Sequence, residues 1–333
     1  MHTVPLLTRH NRFKLEDINY GAIIHGVLLL LAIISCSVSA ASWGGNRRDR
    51  TCSKVANAVF TSCRSEVREE YWLNYGHCLN TDEQQELEEC LNESRENRRE
   101  GWRLCSEQKT ARLEICSAIG QALYNPEIDT GQFLDPASIA ANPNPYFPLI
   151  PGMVKMLKSG DETITISVTE DTIEILGVTC IVVRDVVEEN GQLVEDTQDW
   201  YAQDTSGNVW YFGELSKNYE DGELSDLDGS WKAGVDGAIP GIIMLATPIV
   251  GDIYRQEYAL GEAEDMAEVV STDETSESAL AADCASGCVV TREFLPIDPD
   301  AEELKFYAPG IGNILVIDVD SGDREELTSI SYP

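Results

Sequence analysis

Cysteine is the residue type with the clearest chemical pattern in this 333-residue chain, which contains 10 of them. Six follow at intervals of 11, 15, 12, 15 and 11 residues: Cys52, Cys63, Cys78, Cys90, Cys105 and Cys116. The intervals form a palindrome with an index sum of 168 for each mirrored pair, so mirrored cysteines would lie at equal heights in two antiparallel helices. In an oxidising compartment this predicts three nested disulfides, Cys52–Cys116, Cys63–Cys105 and Cys78–Cys90. A zinc site fits poorly, because closely spaced cysteine pairs are missing and only His77 could assist.

Three more cysteines lie downstream, Cys180, Cys284 and Cys288. An odd number cannot pair completely within one chain. We expect a disulfide from Cys180 to Cys284 or to Cys288, with the remaining thiol left free.

Oxygen-bearing side chains alternate around one glycine turn, at Asp204, Ser206 and Asn208. Hard cations such as calcium prefer oxygen ligands of this kind, so calcium is the candidate cofactor. The twelve-residue loop and closing glutamate of an EF-hand are missing, however. A plain hairpin turn, for which Asp and Asn have high propensity, explains the same residues.

Aromatic side chains concentrate in the neighbouring segments, at Trp200, Tyr201, Trp210, Tyr211 and Phe212. They predict either a packed sheet core, which we favour, or an aromatic-lined pocket in a curved sheet. Downstream of residue 40 the chain has a single histidine, His77. Histidine-dependent nucleophilic catalysis and histidine-based zinc sites are therefore excluded from the region that follows. Carboxylate pairs could hydrolyse glycosides, but with so many acidic residues some pair is always close.

Two kinds of element must position these residues. Residues 47–120 contain no proline and few glycines, and they predict helices over about 50–75 and 81–120, the second opened by a capping box at Thr81–Gln84. Residues 125–151 are rich in Asn-Pro and Asp-Pro pairs and indicate a linker.

From about Glu162, short runs in which apolar and polar residues alternate are separated by turns, and they predict antiparallel strands. The expected fold is α+β: a helical hairpin (41–124), the linker, and a curved sheet or partly open barrel (152–333).

The first 40 residues read as a signal peptide, with a basic start, an apolar run and a cleavage pattern ending at Ala40. Lipidation at Cys36 and an uncleaved membrane anchor are the alternatives. Each predicts export to the periplasm, the cell envelope or the extracellular space. Membrane contact is expected only through this segment, if it is lipidated or uncleaved.

Negative charge dominates the chain, with a formal net charge of −34. Its distribution is uneven: residues 41–130 carry a net charge of −4, and residues 131–333 carry −31. Such a field repels phosphate backbones, which excludes nucleic acid as a partner and favours cationic proteins or small ligands. Solubility or adaptation to a saline medium would explain the same charge.

A string of motifs runs through the second half of the chain: Asn144–Leu149, Asp199–Asp204 (DWYAQD), Gly207–Glu214 (GNVWYFGE), Trp231–Ala238, Tyr254–Tyr258 and Tyr307–Gly312. Together they resemble a widespread family of exported bacterial proteins, over about residues 142–333. Most members are uncharacterised, so the resemblance implies a domain and a compartment but no reaction. Met153–Leu157 departs from the aromatic strand of that family. The cysteine hairpin is similar in geometry to twin Cys-x9-Cys hairpins, with ten residues between the paired positions here.

These observations predict an exported, non-catalytic binding or structural protein of the cell envelope or extracellular space. A small-molecule or lipid carrier that uses the concave sheet is the alternative, and a carboxylate-based hydrolase is the third possibility. A filled sheet interior would favour a protein-interaction module over a carrier.

Overall fold

The computed structural model describes residues 50–275, 279–285 and 287–333. These described residues belong to one compact unit. It consists of a helical hairpin followed by an antiparallel, nearly closed barrel-like sheet, so the α+β prediction is confirmed. The predicted signal peptide, residues 1–40, and the lipidation candidate Cys36 lie outside the described residues.

The hairpin consists of α1 (Thr51–Cys78) and α2 (Gln84–Ile119). The three predicted disulfides, Cys52–Cys116, Cys63–Cys105 and Cys78–Cys90, connect them with Cα–Cα distances of 5.7, 5.8 and 5.6 Å. Helix α1 runs three residues further than expected. The predicted Thr81 cap is wrong, because the Thr81 N–H closes the turn after α1 on the Cys78 carbonyl and Glu83 occupies the N-cap position. No helix among the described residues is long and apolar enough to cross a membrane.

The segment after the hairpin packs against the barrel. A short 3-10 turn (Thr130–Gln132) and α3 (Pro136–Ala141) interrupt it, and Asp135 caps α3 by accepting a hydrogen bond from the Ser138 N–H at 3.0 Å. Its side chains Ile139 and Leu149 are fully buried in the larger hydrophobic cluster. The proline-rich sequence therefore builds a cover for the barrel wall.

Within the described residues the sheet has sixteen strands. They are β1 (Val154–Ser159), β2 (Glu162–Ile175), β3 (Val178–Glu189), β4 (Gln192–Gln203), β5 (Val209–Leu215), β6 (Asn218–Glu220), β7 (Glu223–Asp226), β8 (Trp231–Lys232), β9 (Ile239–Met244), β10 (Ile253–Arg255), β11 (Glu257–Tyr258), β12 (Met266–Glu274), β13 (Cys288–Phe294), β14 (Glu302–Ala308), β15 (Gly312–Asp318) and β16 (Arg324–Ser331). Most strands pair with their neighbours in the chain; the exceptions are β16 with β1, β4 with β6, β5 with β8 and with β9, β9 with β11, and β10 with β12. The β-branched alternation of the sequence is thus satisfied by antiparallel neighbours on both sides.

Strands β10 and β11 bring the two ends of the sheet together. They are separated by Gln256 alone; β10 pairs with β12 and β11 pairs with β9. Gly241 on β9 allows this approach, because a Cβ atom there would lie 2.3 Å from the Gln256 carbonyl oxygen. Closure in this manner leaves few unpaired strand edges.

Candidate functional site

Acidic side chains point from several strands toward the barrel interior. Directly paired residues on neighbouring antiparallel strands share a face of the sheet. Val183, Asp199, Glu214 and Trp231 are paired in this way across β3, β4, β5 and β8. The register therefore places two carboxylates and an indole side by side on the inner face.

The Tyr211 hydroxyl bridges the two carboxylates. Its oxygen lies 2.5 Å from Asp199 Oδ1 and 3.0 Å from Glu214 Oε2. A hydroxyl has one hydrogen to donate, so two hydrogen bonds to carboxyl groups require that one of the carboxyls carry a proton. Burial, and then the charge of Glu214, raises the pKa of Asp199, whereas burial raises the pKa of Glu214 to about 7. The pair thus holds a proton at neutral pH.

Aromatic rings form the wall beside this pair. The Tyr201 ring stacks on Tyr211 with ring centroids 4.6 Å apart, and Trp231 meets Tyr211 edge-on at 5.5 Å. Trp231 is 6% exposed, and its Nε1–H has no hydrogen-bond partner among the described residues. A buried donor without a protein partner is costly unless a water molecule or a ligand accepts from it. We call Asp199, Tyr201, Tyr211, Glu214 and Trp231 the acid–aromatic cluster.

A second group of acids surrounds Lys305, next to this cluster. Lys305 Nζ lies 3.0 Å from Glu293 Oε2 and 3.4 Å from Glu303 Oε2. Burial alone would raise the pKa of Glu293, but the Lys305 charge overrides it and holds that pKa below its ordinary value. Burial raises the pKa of Asp265 to about 6 against the opposing effect of Lys305, and burial followed by the Asp265 charge raises that of Glu257.

Lys155 is the other inward lysine. Its pKa is lowered to about 8 by burial, which the charge of Asp185 partly offsets. Several acidic side chains of this interior carry charges that act on ionisable neighbours. They are Asp185, Glu195, Asp199, Glu214, Glu257, Asp265, Glu293, Glu303 and Glu325. Two lysines cannot neutralise that set. Instead, some of the buried carboxyl groups keep their protons at neutral pH, because burial raises their pKa values, and this limits the negative charge of the interior.

The acid–aromatic cluster combines carboxylates and ring faces, two kinds of group that attract positive charge. Among the described residues no group of three or more His, Cys, Asp or Glu side chains is arranged to hold a metal. Carboxylates beside aromatic faces are the surroundings that ammonium groups prefer, because the ring face and the carboxylate both attract positive charge.

The five predicted pocket aromatics do not line one pocket. Tyr201 and Tyr211 face the interior, whereas Phe212 and Trp210 pack on the outer face against Phe133, with ring centroids 5.6 and 6.0 Å apart. Trp200 also lies on the outer face, under the Lys232 ammonium. The five residues belong to or pack against the larger hydrophobic cluster, in line with the favoured packed core, and the alternative of one shared pocket does not fit because alternate residues of a strand point to opposite faces.

The predicted calcium ligands form a tight turn. The Asp204 carboxylate accepts hydrogen bonds from the Ser206 and Asn208 N–H groups, from Asn208 Nδ2 and from Trp210 Nε1, at 2.8 to 2.9 Å. Asn208 Oδ1 accepts the Ala246 N–H at 2.8 Å. Nitrogen donors thus occupy the oxygens that calcium would require, and the turn explains the residue types.

The predicted disulfide from Cys180 to Cys284 is not formed. Cys284 pairs with Cys288, with a Cα–Cα distance of 5.0 Å, and Cys180 is a buried free thiol. The reason is position: Cys180 belongs to the larger hydrophobic cluster and the other two to the smaller one. Burial raises the pKa of Cys180 to about 12, so the thiol is unreactive at neutral pH.

Asp199 and Glu214 were not predicted as site residues, because with so many acids in the chain proximity between two of them is uninformative. The alternation of β4 does contain a sign that Asp199 faces the interior. Thr197, Asp199 and Tyr201 occupy the same phase of an alternating strand, so an acid stood where apolar or aromatic side chains are expected to face the core.

No protein-family model and no curated protein matches this sequence. Among solved structures, similarity was found to a "putative lipoprotein" from Parabacteroides distasonis ATCC 8503, with a TM-score of 0.31 and 11% identity. The match covers 56% of this chain and 99% of that chain. A similarity of this degree supports no conclusion about the function of the present protein.

Proposed function

We propose that this is an exported, non-catalytic binding protein whose barrel interior takes up a small organic cation. The observation that carries the proposal is the acid–aromatic cluster. There two carboxylates share a proton through Tyr211, and the buried Trp231 N–H lacks an acceptor. A ligand with an ammonium group and an acceptor oxygen would satisfy both features, because it replaces the shared proton and accepts from the indole.

Access to the interior supports the proposal. Glu214, Glu257 and Asp265 are only half-buried, although their pKa values are raised by burial. These residues therefore lie within protein but retain some contact with solvent.

The disulfides support export, and the surface of the hairpin supports a role for it as a spacer. Three disulfides in the hairpin and one in the barrel favour an oxidising compartment, in line with the predicted signal segment. The hairpin, with its charged surface and few buried side chains, acts as a spacer that presents the barrel.

Calorimetric titration with ammonium compounds and their neutral counterparts tests the binding function. We would use ethanolamine against ethylene glycol, and glucosamine against glucose. Both amines should bind and their counterparts should not, and proton release at neutral pH should make the measured enthalpy depend on the buffer. E214Q should weaken amine binding by roughly tenfold or more, since a charged hydrogen bond contributes about 1.5–3 kcal/mol.

Glu220 provides the matched control, because it is exposed at the end of β6. E220Q should bind as the wild type does. Failure of both amines to bind at millimolar concentration, or equal losses in E214Q and E220Q, would contradict the proposal.

A carboxylate-based hydrolase is a second candidate, favoured by the proton shared between Asp199 and Glu214. Acid catalysis by a carboxyl group requires a pKa raised toward neutrality, as Glu214 has. Turnover of chromogenic glycosides by the wild type, abolished in D199N, would support this candidate over a binding role. Amine binding without turnover would support the binding protein.

A further inference from the structure

The joint between hairpin and barrel contains a small pocket that belongs to no feature described above. It lies between α1, α2 and the β10–β11 segment, and its charged lining residues are Arg112, Arg255 and Glu264. Its volume is about 10 Å³, which limits an occupant to a single water molecule or small ion.

Arg112 and Glu264 form a complete ion pair in this joint. Arg112 Nη2 and Nε donate to the two Glu264 carboxylate oxygens at 2.6 and 2.9 Å. Both residues are almost fully buried, at 6% and 2% exposure. Burial lowers the pKa of Arg255, the second arginine, and the Glu264 charge partly offsets this effect, but one carboxylate balances only one of the two guanidinium charges.

Arg255 is that second arginine, and it is 7% exposed. Its guanidinium lies between the Tyr258 and Tyr124 rings, 4.1 and 5.5 Å from their centroids. Its one hydrogen bond is a long contact of 3.7 Å from Nη1 to Met266 Sδ, and its Nε–H has no partner. Among the described residues no carboxylate lies within ion-pair distance of it.

The tyrosines do not supply the missing negative charge. Burial raises the pKa of Tyr124 to about 12 and also raises that of Tyr258, so both rings are neutral at physiological pH. The Tyr124 hydroxyl donates to the Pro240 carbonyl at 3.0 Å. The joint therefore buries two guanidinium groups and one carboxylate, which leaves one positive charge without a counterion. An uncompensated buried charge is strongly unfavourable.

We propose that this pocket binds one small monovalent anion of the size of chloride, held by Arg255 and flanked by Arg112. The pocket volume excludes carboxylate-bearing metabolites and polymers, and the unpaired Nε–H supplies a donor. The anion neutralises the joint and attaches the hairpin to the barrel. This site is independent of the acid–aromatic cluster and of the function proposed for it.

Thermal unfolding in matched sodium salts tests the proposal. At equal ionic strength, chloride should raise the Tm of the wild type by about 2–4 °C over gluconate, which is too large to enter. R255M should lose this chloride-specific rise. R103M is the matched control, since Arg103 lies on α2 with its side chain 65% exposed, and R103M should keep the rise.

A crystal soaked in bromide gives a readout that needs no variant. An anomalous peak at the Arg255 guanidinium is expected. Equal Tm values of the wild type in chloride and gluconate, an undiminished rise in R255M, or the absence of a bromide peak at Arg255 would each overturn the proposal.

Discussion

The hairpin and the barrel solve the problem of stability in opposite ways. In the hairpin three disulfides hold the helices together, and the buried residues are few: Ala56, Cys78, Ser94, Cys105, Arg112, Ile115 and Cys116. The barrel has two extensive hydrophobic clusters and one disulfide between residues four apart in sequence. Charge largely follows the same division: most ionic groups of the hairpin are exposed, with Arg112 as the buried exception, whereas the barrel encloses carboxylates in its interior.

The comparison shows what each region can support. Two helices alone bury too little apolar surface to form a stable fold. The disulfides stabilise the hairpin because they lower the conformational entropy of the unfolded chain. A large sheet core provides enough stability to tolerate buried acids that a minimal fold would exclude. A binding site with protonated carboxylates therefore belongs in the barrel.

The largest effect is expected from removing a hairpin disulfide. Replacing Cys63 and Cys105 by serine opens a crosslink between residues 42 apart in sequence and should cost about 4 kcal/mol by the loop-entropy estimate. In denaturant titrations followed by circular dichroism, the helical signal should be lost earlier than in the wild type. Replacing Cys284 and Cys288 opens a crosslink between residues only four apart in sequence and should have a smaller effect. Equal losses from the two variants would mean that the two regions are stabilised alike.

Breaking the buried ion pair between the regions should have an effect of similar size. R112M leaves the buried Glu264 without its ion-pair partner and should destabilise the protein by about 3–5 kcal/mol. The double variant R112M/E264L removes both charges and should recover much of that loss. Chemical denaturation measures both. A double variant as unstable as R112M alone would show that packing, and not charge, determines the stability of this joint.

The pH dependence of stability should come from the barrel. Burial raises the pKa of Glu214 to about 7 and of Asp265 to about 6, against ordinary values near 4. Between pH 4 and these raised pKa values, the folded state binds more protons than the unfolded state. The contribution of these two carboxyl groups to stability is therefore fully present below about pH 4 and is lost as the pH rises through about 6 and 7.

The double variant E214Q/D265N checks this assignment. Its Tm should decline less than that of the wild type between about pH 5 and 8, because neither amide titrates. E220Q should retain the wild-type slope. Stability that increased over this interval in the wild type would rule out the raised carboxyl pKa values.

The smallest effect is expected at the Asp204 turn. Calcium at millimolar concentration should leave the Tm unchanged, because nitrogen donors already occupy the Asp204 and Asn208 oxygens. D204A should lower the Tm without calcium, since it leaves the Trp210 Nε1–H and two backbone N–H groups without their acceptor. A calcium-dependent rise in Tm that D204A abolishes would restore the metal hypothesis.

Local regularities made part of the fold predictable. The palindromic cysteine spacing determined the hairpin pairing because helix geometry converts sequence distance directly into height. Period-two alternation similarly indicated antiparallel strands. The Cys284–Cys288 pair escaped prediction because its formation depends on how the turn before β13 folds.

The candidate site depended on contacts that no local pattern contains. Arg112 and Glu264 are separated by 152 residues, and the pairing of Asp199 with Glu214 depends on an irregularity in register between Asp199 and Tyr201. Barrel closure through Gln256 also brings distant segments together. Register over such distances is determined by the packing of the whole sheet, which a single sequence does not specify.

The most direct test of the account is an NMR titration of the Asp199 and Glu214 side-chain carboxyl carbons, assigned with D199N and E214Q. The account predicts that the pair releases its shared proton at apparent pKa values well above the ordinary range, with Glu214 near 7. A bound amine should displace that proton and lower these values. Two independent titrations near pH 4, unaffected by amines, would contradict the claim that the barrel interior exchanges a proton for a cation.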